Sequence, residues 1–191
     1  LVNTASVYGM NDVTHLGLYD IPMMSNIPNL VYLAPTCKKE YFAMLDWSIE
    51  QNEFPVAIRV PCNGVISSEK EVERDYSNLN KFKVEEKGNK VAIIALGDFF
   101  EIGRSVLKGL KEELGISATL INPRYITGLD EEYLEDLKQD HDIVITLEDG
   151  MLEGGFGEKI ASFYNVDVSY LTDEVETESN RKKRIINNII F

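Results

Sequence analysis

Few residues in this chain are of a type that does chemistry, and most of them lie at or beside turns. His15, one of only two histidines, sits in GMNDVTHLGLYD (9–20), a stretch without clear periodicity. Gly9 and Gly17 flank it, and glycines let a backbone come close to a ligand. An imidazole in such a loop can donate to a developing oxyanion or shuttle a proton near neutral pH. Asn11, Asp12 and Thr14 add polar groups on the same short stretch. A structural imidazole satisfied within its loop fits the same residues, so the loop alone leaves both readings open.

Arg59 interrupts the apolar run FPVAIRVP (54–61). A charge inside such a strand must be paired or must reach a cavity, and the local sequence admits both. Glu148 and Asp149 end the apolar run DIVITLED (142–149), at the carboxyl end of a strand, where open α/β sheets keep functional residues. Paired carboxylates there can bind a metal or act as acid and base. Capping the next turn or facing a partner subunit is the favoured, structural reading. Gly154 and Gly155 precede a helical pattern, but there is no G-x-G-x-x-G and no Walker lysine. They are read as a tight strand-to-helix turn rather than a phosphate cradle. Cys62 has no cationic helper nearby and reads as an inert small residue. With Cys37 it makes only two cysteines, too few for a disulfide framework, and neither pairs with a histidine at metal spacing. His141, in the polar turn QDHD, reads as exposed and inert.

The elements that must position these groups follow from hydrophobic periodicity. Leu1-Val2 reads as the end of a strand, and residues 3–28 as a long ordered loop with short helical pieces. NLVYLAP (29–35) and FPVAIRVP (54–61) are buried strands bounded by proline. Between them lies a helix capped by Thr36, with Tyr41, Met44, Leu45 and Ile49 as its apolar stripe. Residues 62–82 are polar and weakly periodic, a surface linker. Then come strand KVAIIALG (90–97) and a helix with Phe99, Ile102, Val106, Leu107, Leu110 and Leu114 as its stripe. Strand SATLINP (117–123), helix 129–138 and strand DIVITLED follow, then a helix from the glycine pair to about Tyr164. VDVSYL (166–171) reads as a further strand. Residues 179–190 read as a last helix, because acids at 173–178 precede the bases Arg181, Lys182, Lys183 and Arg184, the order a helix dipole favours. The alternation predicts an α/β protein: two three-layer α/β/α units with mostly parallel open sheets. The boundaries expected are 1–66 and 83–191, with 67–82 as the linker.

The 191 residues carry a net charge of −13. Such a surface repels phosphate backbones, so nucleic acid is not expected as a partner. No apolar run is long enough to cross a bilayer. The chain does not begin with Met and opens with no signal-like segment. A cytoplasmic protein, read here as part of a longer one, is expected.

DVTHLGLYDIPMMSNIPNLVYLAPTCKKEYFAMLDWSI followed by PVAIRVP resembles the middle of the 1-deoxy-D-xylulose-5-phosphate synthase family, transketolase-like thiamine diphosphate enzymes. The matching features are T-H-x-G, I-P-N before a strand, A-P-T before a helix and the x-A-I-R-x-P strand. ALGDFFEIG, INPRYITGLDEEYLEDL and VITLEDGMLEGGFGEKI resemble the carboxy-terminal domain of the same family. The resemblance runs to about residue 164 and implies three α/β domains in the whole enzyme. This chain would hold the latter part of the pyrimidine-facing domain and all of the carboxy-terminal one. It implies thiamine diphosphate and Mg2+ as cofactors, held mainly by residues outside this chain, with no cofactor or metal ligand expected within it. Pyruvate and an aldehyde acceptor are the implied substrates, and a homodimer the implied assembly, serving isoprenoid and thiamine precursor synthesis. His15 takes the place of the family's active-site histidine, with Asn11, Asp12, Thr14 and Arg59 as substrate-binding candidates. Three positions depart from the family pattern: Thr4 and Cys62 stand where arginines are usual, and Asn11 where an aspartate is usual. Arginine forks grip sugar phosphates, so the implied acceptor is either glyceraldehyde 3-phosphate in a divergent site or a different, unphosphorylated aldehyde. A non-catalytic dimerisation module is the third reading. The chain by itself is expected to be inactive.

Overall fold

A computed structural model describes residues 1–5, 17–62, 64–165 and 186–190, with backbone alone for 4–5 and 186–190. The catalytic and substrate-binding candidates Asn11, Asp12, Thr14 and His15 fall outside these residues. So do the strand expected at 166–171 and the basic run at 181–184.

The first sheet has three parallel strands in the order β1–β3–β2, with β1 at Val2–Ala5, β2 at Val31–Leu33 and β3 at Val56–Pro61. Helix α1 spans Asp20–Met24, and α2, Lys38–Glu50, crosses between β2 and β3. The second sheet has five strands in the order β4–β6–β5–β7–β8. Its centre is parallel: β5 (Lys90–Ala95), β6 (Thr119–Asn122) and β7 (His141–Leu147). Its edges are antiparallel: β4 (Lys83–Glu86) on β6, and β8 (Ile186–Ile190) on β7. Helices α3 (Phe100–Leu114), α4 (Glu131–Leu137) and α5 (Phe156–Tyr164) complete the second unit.

Period-two alternation explains how β5 and β6 serve two faces. Val91, Ile93, Ala95 and Leu120 pack with Phe100 and Leu107 of α3. Ala92, Ile94 and Ile121 pack with Leu134 and Leu137 of α4 and with Phe156 and Ile160 of α5. Strands covered on both sides read as continuous apolar runs, which is how KVAIIALG and SATLINP read. The second cluster also takes in Ile21, Tyr32, Ala34 and Ala57, so one core runs from sheet to sheet. Backbone bonds close the seam: Ala34 N–H donates to the Arg124 carbonyl at 2.8 Å and Ile126 N–H to the Tyr32 carbonyl at 2.7 Å.

The expected fold class is observed; several element details differ. Residues 186–190 are strand β8, not helix. The acid-then-base order suits a helix, but INNII carries the β-branched isoleucines that suit a strand, and the open edge of β7 offers a ladder. Strand β4 was not expected, since its four residues alternate half-buried and exposed among charges. Thr36 does not cap α2 with its own oxygen. Cys37 is the cap residue, and Glu40, three residues into the helix, reaches back to Thr36. The buried face of α2 is Glu40, Ala43, Met44 and Trp47, and Ile49 is 73% exposed. In α3, Phe100, Gly103 and Leu107 are buried while Ile102 and Leu114 are exposed, a turn of the stripe by about one position. The 62–82 stretch lacks regular elements until its end but is pinned. Tyr76 is 1% exposed, its ring lies 6.0 Å from Trp47, and its carbonyl accepts from the Tyr125 hydroxyl at 2.8 Å.

Candidate functional site

The carboxyl ends of β3, β5 and β7 meet at the seam, and a buried ionic cluster fills the junction. Arg59, 3% exposed, comes from β3. Its Nε donates to Asp20 Oδ2 at 2.6 Å, and its Nη2 donates to Asp20 Oδ1 at 3.2 Å and to the Gly17 carbonyl at 3.0 Å. Its Nη1 donates to Asp149 Oδ1. Tyr32 completes the grip on Asp20, its hydroxyl donating to Oδ2 at 2.5 Å. Of the two readings the sequence left open, Arg59 is paired.

Burial alone would depress the Arg59 pKa, but the Asp149 charge and the Asp20 carboxylate outweigh it and hold the guanidinium firmly charged. The Tyr32 phenol is pushed well up by burial and then by Asp20, so it stays a neutral donor. Asp98 lies just past β5, beside Asp149. Burial and the Asp149 charge raise its carboxyl to about 7, with Arg59 opposing. A neutral Asp98 carboxyl beside Asp149 avoids the repulsion of two buried negative charges.

The neighbouring carboxylate plays another part. Glu148 is 1% exposed, and its Oε2 accepts from Phe156 N–H at 2.7 Å, at the start of α5. It occupies the place an anion would take at a helix N-terminus. Burial raises it to about 7 against the pull of the Phe156 and Gly157 amides, with Asp149 adding to the rise. The glycine pair makes this possible. Gly154 holds φ +74, and a Cβ on Gly155 would fall 2.2 Å from the Met151 carbonyl and 2.3 Å from Glu148 Oε1. The tight-turn reading of Gly154-Gly155 therefore holds. So does the structural reading of Glu148 and Asp149, though as a cap and an ion-pair partner buried together.

The diphosphate and magnesium implied by the resemblance would need free amides in a cradle and a set of oxygen ligands. At the 154–156 turn, Glu148 takes the Phe156 amide and Glu158 takes the Gly154 amide. Among the described residues no group of three or more His, Cys, Asp or Glu is arranged to hold a metal. The described residues do not fit that group.

Two other expectations are settled by position. The His141 side chain is buried, only 3% exposed, with Nε2 2.7 Å from Thr119 Oγ1 and Nδ1 3.2 Å from the Leu137 carbonyl. It is a satisfied packing residue rather than an exposed one, because β7 begins at His141 itself and the ring reaches across β5 to Thr119 of β6. Cys62 is half-buried and free. Sequence reasoning missed Asp20, Tyr32 and Asp98. Only Arg59, a charge that had to be answered, pointed toward them.

Comparisons with known proteins bear on the same region. Residues 80–177 match the family model described as "Transketolase, C-terminal domain". The chain is 38% identical over 168 residues to 1-deoxy-D-xylulose-5-phosphate synthase of Alkaliphilus oremlandii (strain OhILAs), covering 86% of this chain and 26% of that protein. It is 32% identical over 170 residues to the protein of the same name from Clostridium perfringens (strain ATCC 13124), again covering 86% and 26%. The chain thus spans about a quarter of the length of these curated relatives. Among solved structures, a split gene transketolase, described as an inactive beta4 tetramer, superposes with TM-score 0.71 at 24% identity, over 85% of this chain and 52% of that one. A Pichia stipitis transketolase mutant gives 0.64 at 17% identity, over 85% and 27%. At these identities the solved structures speak for the fold. Among the described residues no helix is long and apolar enough to cross a membrane.

Proposed function

The chain belongs to the transketolase family through its C-terminal domain, and from that premise we propose that it is the carboxy-terminal portion of a thiamine diphosphate-dependent transferase of the 1-deoxy-D-xylulose-5-phosphate synthase type. Residues 1–66 are the latter part of the pyrimidine-facing domain, 67–82 a connection and 83–191 the carboxy-terminal domain. The observation that carries this reading is the 38% identity extending over 86% of the chain, across both sheets rather than the carboxy-terminal one alone. The whole enzyme joins pyruvate to an aldehyde with loss of carbon dioxide, as a cytoplasmic homodimer. Thiamine diphosphate and Mg2+, which residues outside this chain would hold, would supply the decarboxylation chemistry.

This chain's own part is at the acceptor. His15 donates to the alkoxide that forms when the acceptor carbonyl is attacked, and Asn11, Asp12 and Thr14 orient the acceptor. Arg59 is held by two carboxylates and the Gly17 carbonyl, so its contribution to substrate binding runs through the backbone it holds. The departures at Thr4, Asn11 and Cys62 make an unphosphorylated acceptor the alternative to glyceraldehyde 3-phosphate.

The test is reconstitution. The chain is combined with the polypeptide carrying the upstream domains, joined to it or supplied separately, together with thiamine diphosphate and Mg2+. Carbon dioxide release from pyruvate with glyceraldehyde 3-phosphate is expected, and none from the chain alone. His15→Ala is expected to cost about 100-fold or more in turnover, the scale of a lost acid–base or oxyanion group. Unchanged turnover in that variant would favour a non-catalytic dimerisation role, and turnover only with unphosphorylated aldehydes the alternative acceptor.

A further inference from the structure

Three carboxyls surround one guanidinium at the seam. Asp20 comes from α1 of the first unit, and Asp98 and Asp149 follow the carboxyl ends of β5 and β7 in the second. Arg59 spends Nε and Nη2 on Asp20 and the Gly17 carbonyl, and Nη1 on Asp149. Each of its nitrogens is thus engaged before Asp98 is considered. Asp149 Oδ2 is buried and meets no hydrogen-bond partner among the described residues. Asp98 lies beside this carboxylate and faces Arg59. Its turn is seated on the first unit: a Cβ on Gly97 would lie 3.4 Å from Ala34 Cβ and 3.9 Å from the Pro35 carbonyl oxygen. Closing the seam therefore removes water from the Asp98 turn. Two further titratable groups border the cluster. The Tyr32 hydroxyl of β2 donates to Asp20, and Glu148 lies next to Asp149. Glu148 has its own answer in the Phe156 amide at the start of α5, with Lys159 of α5 facing it.

We infer that Asp98 makes the seam a proton-operated lock: protonated, it lets Arg59 clamp the two units together, and ionised, it drives a local opening between α1 and the β7–α5 turn. One positive charge already answers the carboxylates of Asp20 and Asp149. Ionised Asp98 would add a further uncompensated negative charge where water screens poorly. Parting the seam relieves this by letting water reach Asp98 and Asp149, while each unit keeps its own internal bonds. Burial and the Asp149 charge accordingly raise the Asp98 carboxyl to about 7, with Arg59 opposing. The closed seam holds a proton that the open seam releases. Closure is therefore strongest below the ordinary carboxyl range and weakens as pH rises to about 7. Glu148 is raised to a similar value, but its charge is met by amides at the start of α5, within its own unit. The lock acts on the connection between the units and stands independently of the acceptor chemistry proposed above.

The test reads the seam of the full 191-residue chain by amide hydrogen exchange at about pH 5 and about pH 8, corrected for the intrinsic exchange rate at each pH. Over residues 20–25 and 149–155, protection is expected to fall about tenfold or more from the lower pH to the higher. At both pH values it should stay below the protection of β5 and β6. In Asp98→Asn, whose amide mimics the protonated carboxyl, the fall should shrink to within about twofold. In Glu148→Gln it should persist. Carboxyl carbon NMR of the native chain gives a second measurement, in which Asp98 is expected to titrate near neutrality. Seam protection independent of pH, a fall retained in Asp98→Asn, or a fall lost in Glu148→Gln instead would overturn the proposal. So would seam amides that exchange at the same rate as β5 and β6, since only the whole fold would then be opening. An Asp98 carboxyl that titrates in the ordinary range would overturn it as well.

Discussion

Glu40 and Asp149 both cross the seam between the two sheets, and they do so on opposite electrostatic plans. Glu40 of α2 is 3% exposed and is held by neutral donors: the Thr36 amide at 2.8 Å, the Thr36 hydroxyl at 2.7 Å and the Asn122 side chain of β6 at 3.0 Å. Burial raises its pKa, as expected for a carboxylate answered by dipoles rather than by a paired cation. Asp149 meets a full positive charge, and that charge is shared with Asp20 and a loop carbonyl. The dipole-held seam ends on a helix start. The charge-held seam ends on the Gly17 carbonyl and the start of α1. Buried charge pairs are poor stabilisers compared with apolar packing but costly to break, so a charge-held seam makes sense where geometry matters more than stability.

The largest effect should come from breaking the charged seam in the middle. Arg59→Met leaves Asp20 and Asp149 buried without their cation and is expected to cost about 3–5 kcal/mol of stability, read by denaturant unfolding. Glu40→Ala strands the Asn122 amide and the Thr36 donors and should cost about 1–3 kcal/mol. Exchange over residues 20–25 should stay native in that variant, which separates the two seams. Gly155→Ala drives a methyl into the Met151 carbonyl, which is backbone and cannot swing aside, and into the Glu148 carboxylate. About 1–3 kcal/mol is expected, with fraying confined to α5.

A pH dependence is expected as well. Asp98 and Glu148 both have folded values raised to about 7 from the ordinary carboxyl range. In the window between, the folded chain holds protons that the unfolded chain has released. Stability is thus full below the unfolded values and is lost as pH rises through about 7. Unfolding free energy should fall between about pH 5 and pH 8. Asp98→Asn and Glu148→Gln should each flatten part of that slope, since an amide mimics the protonated group. Native and variant curves of equal slope would mean that both carboxyls are ionised throughout.

Much of the frame was legible because it is written locally. KVAIIALG and SATLINP are continuous apolar runs, and a sheet covered on both faces demands them. The Gly154-Gly155 turn could be read because backbone freedom belongs to the residue itself. What was illegible depends on partners far along the chain. Arg59 had to be answered, but Asp20 lies 39 residues away and Asp149 lies 90 away, and no local pattern selects them from the other acids. Strand β8 was misread because charge order in its flank suggested a helix, while the ladder that makes it a strand belongs to β7. His141 looked exposed because its neighbours are polar, and its Thr119 partner lies two strands away on β6. The loop bearing Asn11, Asp12, Thr14 and His15 was reached through resemblance alone.

The most direct test sets the two seams side by side, with unfolding free energy measured for Arg59→Met and Glu40→Gln under the same conditions. A loss of about 3–5 kcal/mol in Arg59→Met, with a clearly smaller one in Glu40→Gln, is the expected result. Equal losses, or none in Arg59→Met, would contradict the claim that the charged seam is the costly one to break.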